Sequence, residues 1–227
     1  MLSLLLMGIL TWAFNIQSAR AQPTTIYVDD DNASGPWDGT AEHPYRNITN
    51  ALEHASAEDT IYVHNGTYYE HIFVNKPITL TGENRETTII DGNGAGIGIL
   101  IHANNVSISD FTVRNADYGI RLSGFNNSRI SRNIVVDNLY GILLYDSWNN
   151  TLRDNKMTDN RFNFGADGSL PHIGMYTNDI DTSNTVNGKP IYYLISQHDL
   201  LIDPSTFPNI GYLALLNCTN IKVENLT

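Results

Sequence analysis

The chain of 227 residues contains a single cysteine, Cys218. A lone thiol closes no internal disulfide, so a crosslinked miniature scaffold is excluded and Cys218 is expected to pack as a small hydrophobe. Positive charge is also scarce, with 13 Lys and Arg against 24 Asp and Glu and a formal net charge of −11. A surface of that sign does not gather phosphates, which excludes nucleic acid as a partner. Long apolar runs are lacking too. The run from Leu2 to Phe14 is shorter than the ~18 residues that span a bilayer. Ala19-Arg20-Ala21 follows it with the small-x-small form of a secretory cleavage site. Residues 1–21 therefore read as a signal peptide, and the mature chain as exported, with no membrane span. Helical periodicity is nearly absent. Ile48, Ala51, Leu52 and Ala55 form the one apolar stripe at helical spacing.

What the chain does have is asparagine, 27 in all, and a repeat. Asn105, Asn127 and Asn149 lie 22 residues apart, and neighbouring positions recur at the same interval. Ile108, Ile130 and Leu152 form one column. Tyr118, Tyr140 and Phe162 form a second, Gly119, Gly141 and Asn163 a third, and Ile120, Ile142 and Phe164 a fourth. Each unit alternates short apolar stretches with Asn, Asp and Gly, which is strand and turn chemistry. A unit of that length with three short strands is one coil of a β-helix, stacked on its neighbours at about 4.8 Å. The glycine column is expected to mark sharp turns, with Asn163 replacing glycine in a left-handed conformation.

Along the chain, residues 22–59 hold a strand at Ile26-Tyr27-Val28, an acidic loop, and a short helix within Asn47 to Ser56. Its apolar stripe would cap the open end of the stack. Residues 60–227 hold the coils. The pattern breaks near 165–189, which reads as an insertion. It resumes at Ile191, and Asn220-Ile221-Lys222-Val223 shares the phase of Asn105-Val106-Ser107-Ile108. The last coil stops half-way, so a longer parent chain is expected.

Several phrases carry a family resemblance. They are Tyr27-Val28-Asp29, His43-Pro44-Tyr45, Asp59-Thr60-Ile61, Asn65-Gly66-Thr67-Tyr68 with Glu70, Ile89-Ile90-Asp91-Gly92, and the Asn-x-x-Ile and Tyr-Gly-Ile-x-Leu wording of the coils. The chain resembles secreted right-handed parallel β-helix proteins of the NosD-like, CASH-domain (pectate-lyase-like) type found in archaeal surface proteins. Asn187-Gly188-Lys189-Pro190-Ile191-Tyr192-Tyr193 is similar to a phrase of those proteins. The resemblance implies an all-β right-handed parallel β-helix with a short N-terminal capping helix. It is specific for fold and silent on activity, because such proteins include binding, structural and catalytic members.

Asp110, Arg132 and Asp154 share a column with alternating charge, which reads as an ion-pair ladder. Asp137 and Asp159 share another with like charge, and with Asp29 and Asp31 of the acidic loop they are the oxygen-rich positions that would suit calcium. Asp167, His172, Asp179 and Asp181 in the insertion are the local mix of His and carboxylate where catalysis would sit. NosD itself is linked to copper-site maturation, but copper requires clustered His, Cys or Met. Here His43, His54, His64, His71, His102, His172 and His198 are scattered, and Met157 falls in a core column, so no cofactor is expected. Eight Asn-x-Ser/Thr sequons are present. Asn32, Asn47, Asn65, Asn126 and Asn217 are the glycosylation candidates. Asn105 and Asn149 share the turn column, where the amide is expected to be needed inside. Tyr68, Tyr69, Trp148, Tyr192 and Tyr193 are candidate exposed rings for sugar.

The reading is a non-catalytic secreted or cell-surface module, carbohydrate-binding or structural and adhesive, with a polysaccharide or surface glycan as partner. The alternative is a polysaccharide-active enzyme, a lyase, hydrolase or epimerase.

Overall fold

A computed structural model of the protein describes residues 22–169 and 176–226. The proposed signal peptide and His172 lie outside the described residues. The chain winds as a right-handed parallel β-helix whose wall is three sheets. The first has seven strands, in order Thr25–Val28, Thr60–Val63, Thr79–Gly82, Ser107–Ser109, Arg129–Ser131, Thr151–Arg153 and Asp179–Ile180. The second has five: Ile72–Val74, Ile97–Ile101, Tyr118–Ser123, Tyr140–Tyr145 and Phe162–Asp167. The third runs from Gly66–Tyr68 through Thr88–Asp91, Thr112–Arg114, Ile134–Val136 and Lys156–Thr158 to Thr185–Val186, and then to Lys189–Ile195 and Tyr212–Leu216. Coiling begins earlier than Thr60, because Thr25–Val28 is already a rung, pairing in parallel with Thr60–Val63.

The 22-residue register holds in space. Ile108, Ile130 and Leu152 pair side by side and are fully buried. Ile120, Ile142 and Phe164 form the matching column beneath the second sheet. Met157 continues Val113 and Val135 in the core, as its column predicts.

Corners follow a two-residue rule that the sequence reading placed one position off. At each corner one residue has a positive φ of 52–66°: Asn105, Asn127 and Asn149; Asp110, Arg132 and Asp154; Asn115, Asp137 and Asp159. These side chains stand on the outside. The next residue turns inward, and from the second regular coil onward it is polar: Ser128 and Asn150, Asn133 and Asn155, Asn138 and Asn160. The internal amides link one coil to the next. Asn133 Oδ1 accepts from Phe111 N at 3.1 Å, Asn155 Oδ1 from Asn133 N at 3.1 Å, and Asn184 Oδ1 from Asn155 N at 3.2 Å. Their Nδ2 groups donate to the carbonyls of Ile108, Ile130 and Leu152. Each amide thus satisfies backbone groups that a corner strips from the strand ladder. The Asn105 and Asn149 amides are exposed, so the internal ladder is the adjacent column.

The glycine column has a different cause from the one expected. Gly119 and Gly141 lie within strands and carry no positive φ. A Cβ on Gly141 would stand 2.2 Å from Asn163 O, and one on Gly119 would stand 2.4 Å from Val135 Cγ1. Close approach of the neighbouring coil and of the amide ladder requires glycine here, and Asn163 is not left-handed.

The helix Ile48–His54 follows the first rung in chain order and contacts Thr25–Val28, Thr60–Val63 and Ile72–Val74. Seven residues are too few for an isolated helix, so its ends are held from outside. Asn47 caps the start, and the Glu70 carboxylate accepts from Ile48 N at 2.7 Å and Thr49 N at 2.9 Å. At the far end Lys76 Nζ donates to Leu52 O and Ala55 O. Both charges also suit the helix dipole.

The interruption is narrower than 165–189. Asn178 occupies the ladder position 28 residues after Asn150, and Asn184 stands 29 after Asn155. Asp179–Ile180 and Thr185–Val186 are therefore ordinary rungs, and of the seven residues beyond the 22-residue period six fall before Asn178 and one between Asn178 and Asn184. The C-terminal phase differs as well. Asn187 and Gly188, with φ of 49° and 75°, make a hairpin, so Lys189–Ile195 runs antiparallel to Thr185–Val186. Thr219–Val223 then pairs with His198–Ile202 in a separate two-stranded sheet and does not extend the Ile108 column.

Candidate functional surfaces

Three carboxylates on the coil faces, Asp91, Asp110 and Asp154, are bound to arginines. Asp110 takes a two-point contact from Arg132 and hydrogen bonds from neighbouring hydroxyls. Burial pushes its pKa up, but those bonds outweigh it and hold the group below the usual carboxylate value. Asp154 does not complete that ladder. It pairs with Arg85 at 3.1 Å, reached from the loop after the first sheet. Asp91, 5 % exposed at its side chain, accepts from Arg114 Nε at 2.8 Å and Asn115 Nδ2 at 2.9 Å. Burial there too is outweighed, by the Asn93 N–H first and then Arg114 and Asn115.

The insertion candidates separate. Asp179 and Asp181 both clamp Arg153, Asp181 at 3.1 Å. Asp167 ends a strand of the second sheet and accepts from Gly168 N at 2.7 Å. Asp137 and Asp159 line an open recess at the corner between the third and second sheets, together with Arg161 and Asn187. Both are exposed. In the acidic loop, Asp29 Oδ1 accepts Asp31 N at 3.0 Å, an Asx turn, and Asp30 Oδ2 accepts Thr67 N at 3.1 Å. Burial, then Asp31 and Asp29, leaves Asp30 raised in spite of the Thr67 bond. Asp29 and Asp30 are half-buried and Asp31 is exposed.

The outer face of the second sheet is the part that sequence reasoning underrated. Tyr118, Tyr140 and Phe162 stack with centroids 4.9 Å apart and planes 9° and 22° from parallel. Phe162 is 47 % exposed, and Phe73 at the other end of the sheet is 48 % exposed. Between them Leu100, Arg121 and Leu143 form the central outward column. Arg121 lies over the rings of Tyr118 at 5.1 Å and Tyr145 at 5.8 Å. Of the rings proposed as exposed, Tyr69 is, at 69 %, whereas Tyr68 and Tyr193 are buried. Trp148 and Tyr192 are half-buried.

The sequons divide by side-chain use. Asn32 donates to Pro44 O, Asn47 caps the helix, Asn65 accepts from Thr87, Asn126 accepts from Asn127, and Asn217 donates to Ser196.

Three sheets, an amide-lined bore and a capping helix define the class, a right-handed parallel β-helix of solenoid coils. The description "Periplasmic copper-binding protein (NosD)" matches residues 52–199, well over half of the chain, and the chain belongs to that family. It is also similar to the uncharacterized protein YwoF of Bacillus subtilis (strain 168), 31 % identical over 102 residues. That match covers 39 % of this chain and 22 % of YwoF, so the chain spans a minor part of that relative. Among solved structures, the GH136 lacto-N-biosidase from Eubacterium ramulus aligns with a TM-score of 0.50 and 10 % identity, over 90 % of this chain and 52 % of that one. A pectin methylesterase in complex with a hexasaccharide gives 0.45 and 12 % identity, over 90 % and 82 %. An alginate lyase from Paenibacillus sp. str. FPU-7 gives 0.46 and 13 %, over 89 % and 75 %. The likeness to the lacto-N-biosidase speaks to fold alone.

The family's description raises copper, and the described residues do not fit it. His54 stacks on Tyr45, His64 sits with Tyr27 and Tyr62, His102 with Phe73 and Phe125, and His198 beside Asp199. Met157 is buried in the core, and Cys218 Sγ donates to the carbonyls of Leu194 and Leu216. Among the described residues, the cluster dense enough to hold an ion is Asp29, Asp30 and Asp31, whose donors are hard oxygens unsuited to copper. No described helix is long and apolar enough to cross a membrane.

Proposed function

We propose that the chain is a non-catalytic secreted or cell-surface module, a rigid acidic rod that acts as an adhesion or carbohydrate-binding element. The observation that supports this is the use made of the coil carboxylates. Asp91, Asp110, Asp154, Asp179 and Asp181 each hold an arginine. Glycosidic cleavage needs two carboxyl groups flanking one bond, with the acid partner's pKa raised. Asp91 and Asp110 are shifted the opposite way. Exposed rings at Trp37 and Tyr69 support a sugar ligand. Export follows from the reading of residues 1–21 and agrees with a family described as periplasmic.

The second reading, a polysaccharide-active enzyme, draws on the recess where Asp137, Asp159 and Arg161 share one corner. A uronate-release screen and a glycan array, run on the wild type and on the Asp137→Asn/Asp159→Asn protein, separate the two. The expected result is no release from either protein and equal glycan binding. Release by the wild type that the double substitution removes makes that corner an active site and overturns the proposal.

A further inference from the structure

Arg85, Arg114, Arg132 and Arg153 each hold a carboxylate, whereas Arg121, Arg129 and Arg161 have no ion-pair partner among the described residues. Arg121 differs from Arg129 and Arg161 in being half-buried where they are exposed. Its Nε is buried and has no hydrogen-bond partner. Buried donors are nearly always satisfied, so an orphan of this kind requires a cause. Nearby acids do not provide a partner. Asp146 accepts from Ser169 N and Oγ, Asp117 accepts from Gly96 N, and Asp167 accepts from Gly168 N. The guanidinium is instead held between Tyr118 and Tyr145 in the middle of an apolar face. That face carries Phe73, Leu100, Leu143 and Phe162.

We propose that the outer face of the second sheet is a docking surface for an acidic segment of a partner protein, with Arg121 as the anchor for one carboxylate. Charge complementarity selects the carboxylate, because a cation ringed by apolar groups and lacking a partner is an incomplete pair. Tyr, Phe, Leu and Arg together are the composition of interface centres. Ring geometry argues against a sugar on this face. Tyr118, Tyr140 and Phe162 cover one another's faces and turn edges outward, so they offer no flat platform for a pyranose. Size argues against a second copy of this chain. Five rungs at about 4.8 Å, with strands of three to six residues, give a face of at most roughly 20 Å by 24 Å. A stable globular interface takes about 800 Å² from each partner, well beyond this. A short segment with apolar side chains on both sides of an Asp or Glu fits the size, the charge and the apolar flanks.

The test is a selection of phage-displayed 12-residue peptides on the immobilised wild-type protein, with counter-selection on Arg121→Gln. The expected outcome is a consensus with an Asp or Glu between apolar residues. A synthetic peptide of that consensus should bind the wild type at least about tenfold more tightly than Arg121→Gln. Its Gln-substituted version should lose the same factor. Leu143 pairs with Arg121 across the strands. Leu143→Glu therefore supplies an internal partner and should block the peptide, which keeps the test intact if Arg121→Gln melts early. No enrichment, a consensus without a carboxylate, or peptides that bind Arg121→Gln and Leu143→Glu as well as the wild type would each overturn the proposal. None of these outcomes depends on whether the module binds a glycan.

Discussion

The N-terminal rungs and the regular coils close the same bore by different means. Around Thr25–Val28 and Thr60–Val63 the end of the stack is sealed by apolar burial, with Ile48, Ala51, Leu52 and Ala55 of the helix on the core. Coil corners in the first regular turn are apolar too, at Val106, Phe111 and Ala116. One turn later the same corners hold Ser128, Asn133 and Asn138, all buried. The exchange is possible because each amide meets backbone donors and acceptors of the coils beside it, so a buried polar group carries no uncompensated desolvation. The ladder tolerates a longer coil, since Asn178 and Asn184 continue it 28 and 29 residues after Asn150 and Asn155, so what an amide needs is the register of the corner rather than equal coil length.

Breaking the shared feature should have the largest effect. Ile130→Asp puts a charge in the column that runs through both regions and should cost more than about 4 kcal/mol, so no cooperative melt is expected. An unchanged melting curve would mean that the register is wrong. A paired comparison sharpens the contrast between the regions. Asn155→Leu keeps volume but orphans Asn133 N and Ile130 O, for a loss of about 3 kcal/mol. Leu52→Ala at the cap should cost about 2–3 kcal/mol by cavity formation alone. The discriminating substitution is Leu52→Met, which should be nearly silent. If Asn155→Leu were also silent in urea melts, the amides would be passengers.

The smallest expected effect is a pH response at Asp91, which stands at the boundary between the two regions. Its carboxyl is held below the ordinary value of 3.8. A group depressed on folding adds stability above its unfolded value and loses it as pH falls through the folded one. The wild type should therefore lose melting temperature more steeply below pH 3.8 than Asp91→Asn does. Parallel curves for the two proteins would remove Asp91 as a source of acid sensitivity.

Much of the fold was legible because a coil's length and core columns are written in one dimension. Ile108, Ile130 and Leu152 announce their spacing whatever surrounds them, and the stripe of Ile48, Ala51, Leu52 and Ala55 marks the cap. The candidate site was less legible. Asp179 and Asp181 read as free acids in a loop, yet they are the ligands of Arg153. Asp154 reads as a partner of Arg132, yet Arg85 arrives from 69 residues away to take it. Asn105 and Asn149 read as the internal ladder, although Asn133 with Asn155 and Asn138 with Asn160 recur at the same interval.

By itself the sequence determined the period, the apolar columns and the acidic surface, because each is a property of residue type and spacing. Only the tertiary structure decided which Asn of a corner turns inward, since the choice lies in a single left-handed residue that rotates the next side chain into the bore. It likewise decided that Gly119 and Gly141 answer to a neighbouring coil's approach rather than to a turn. Contacts between coils join residues 19 or more positions apart, and pairing of that range is fixed when the coils stack.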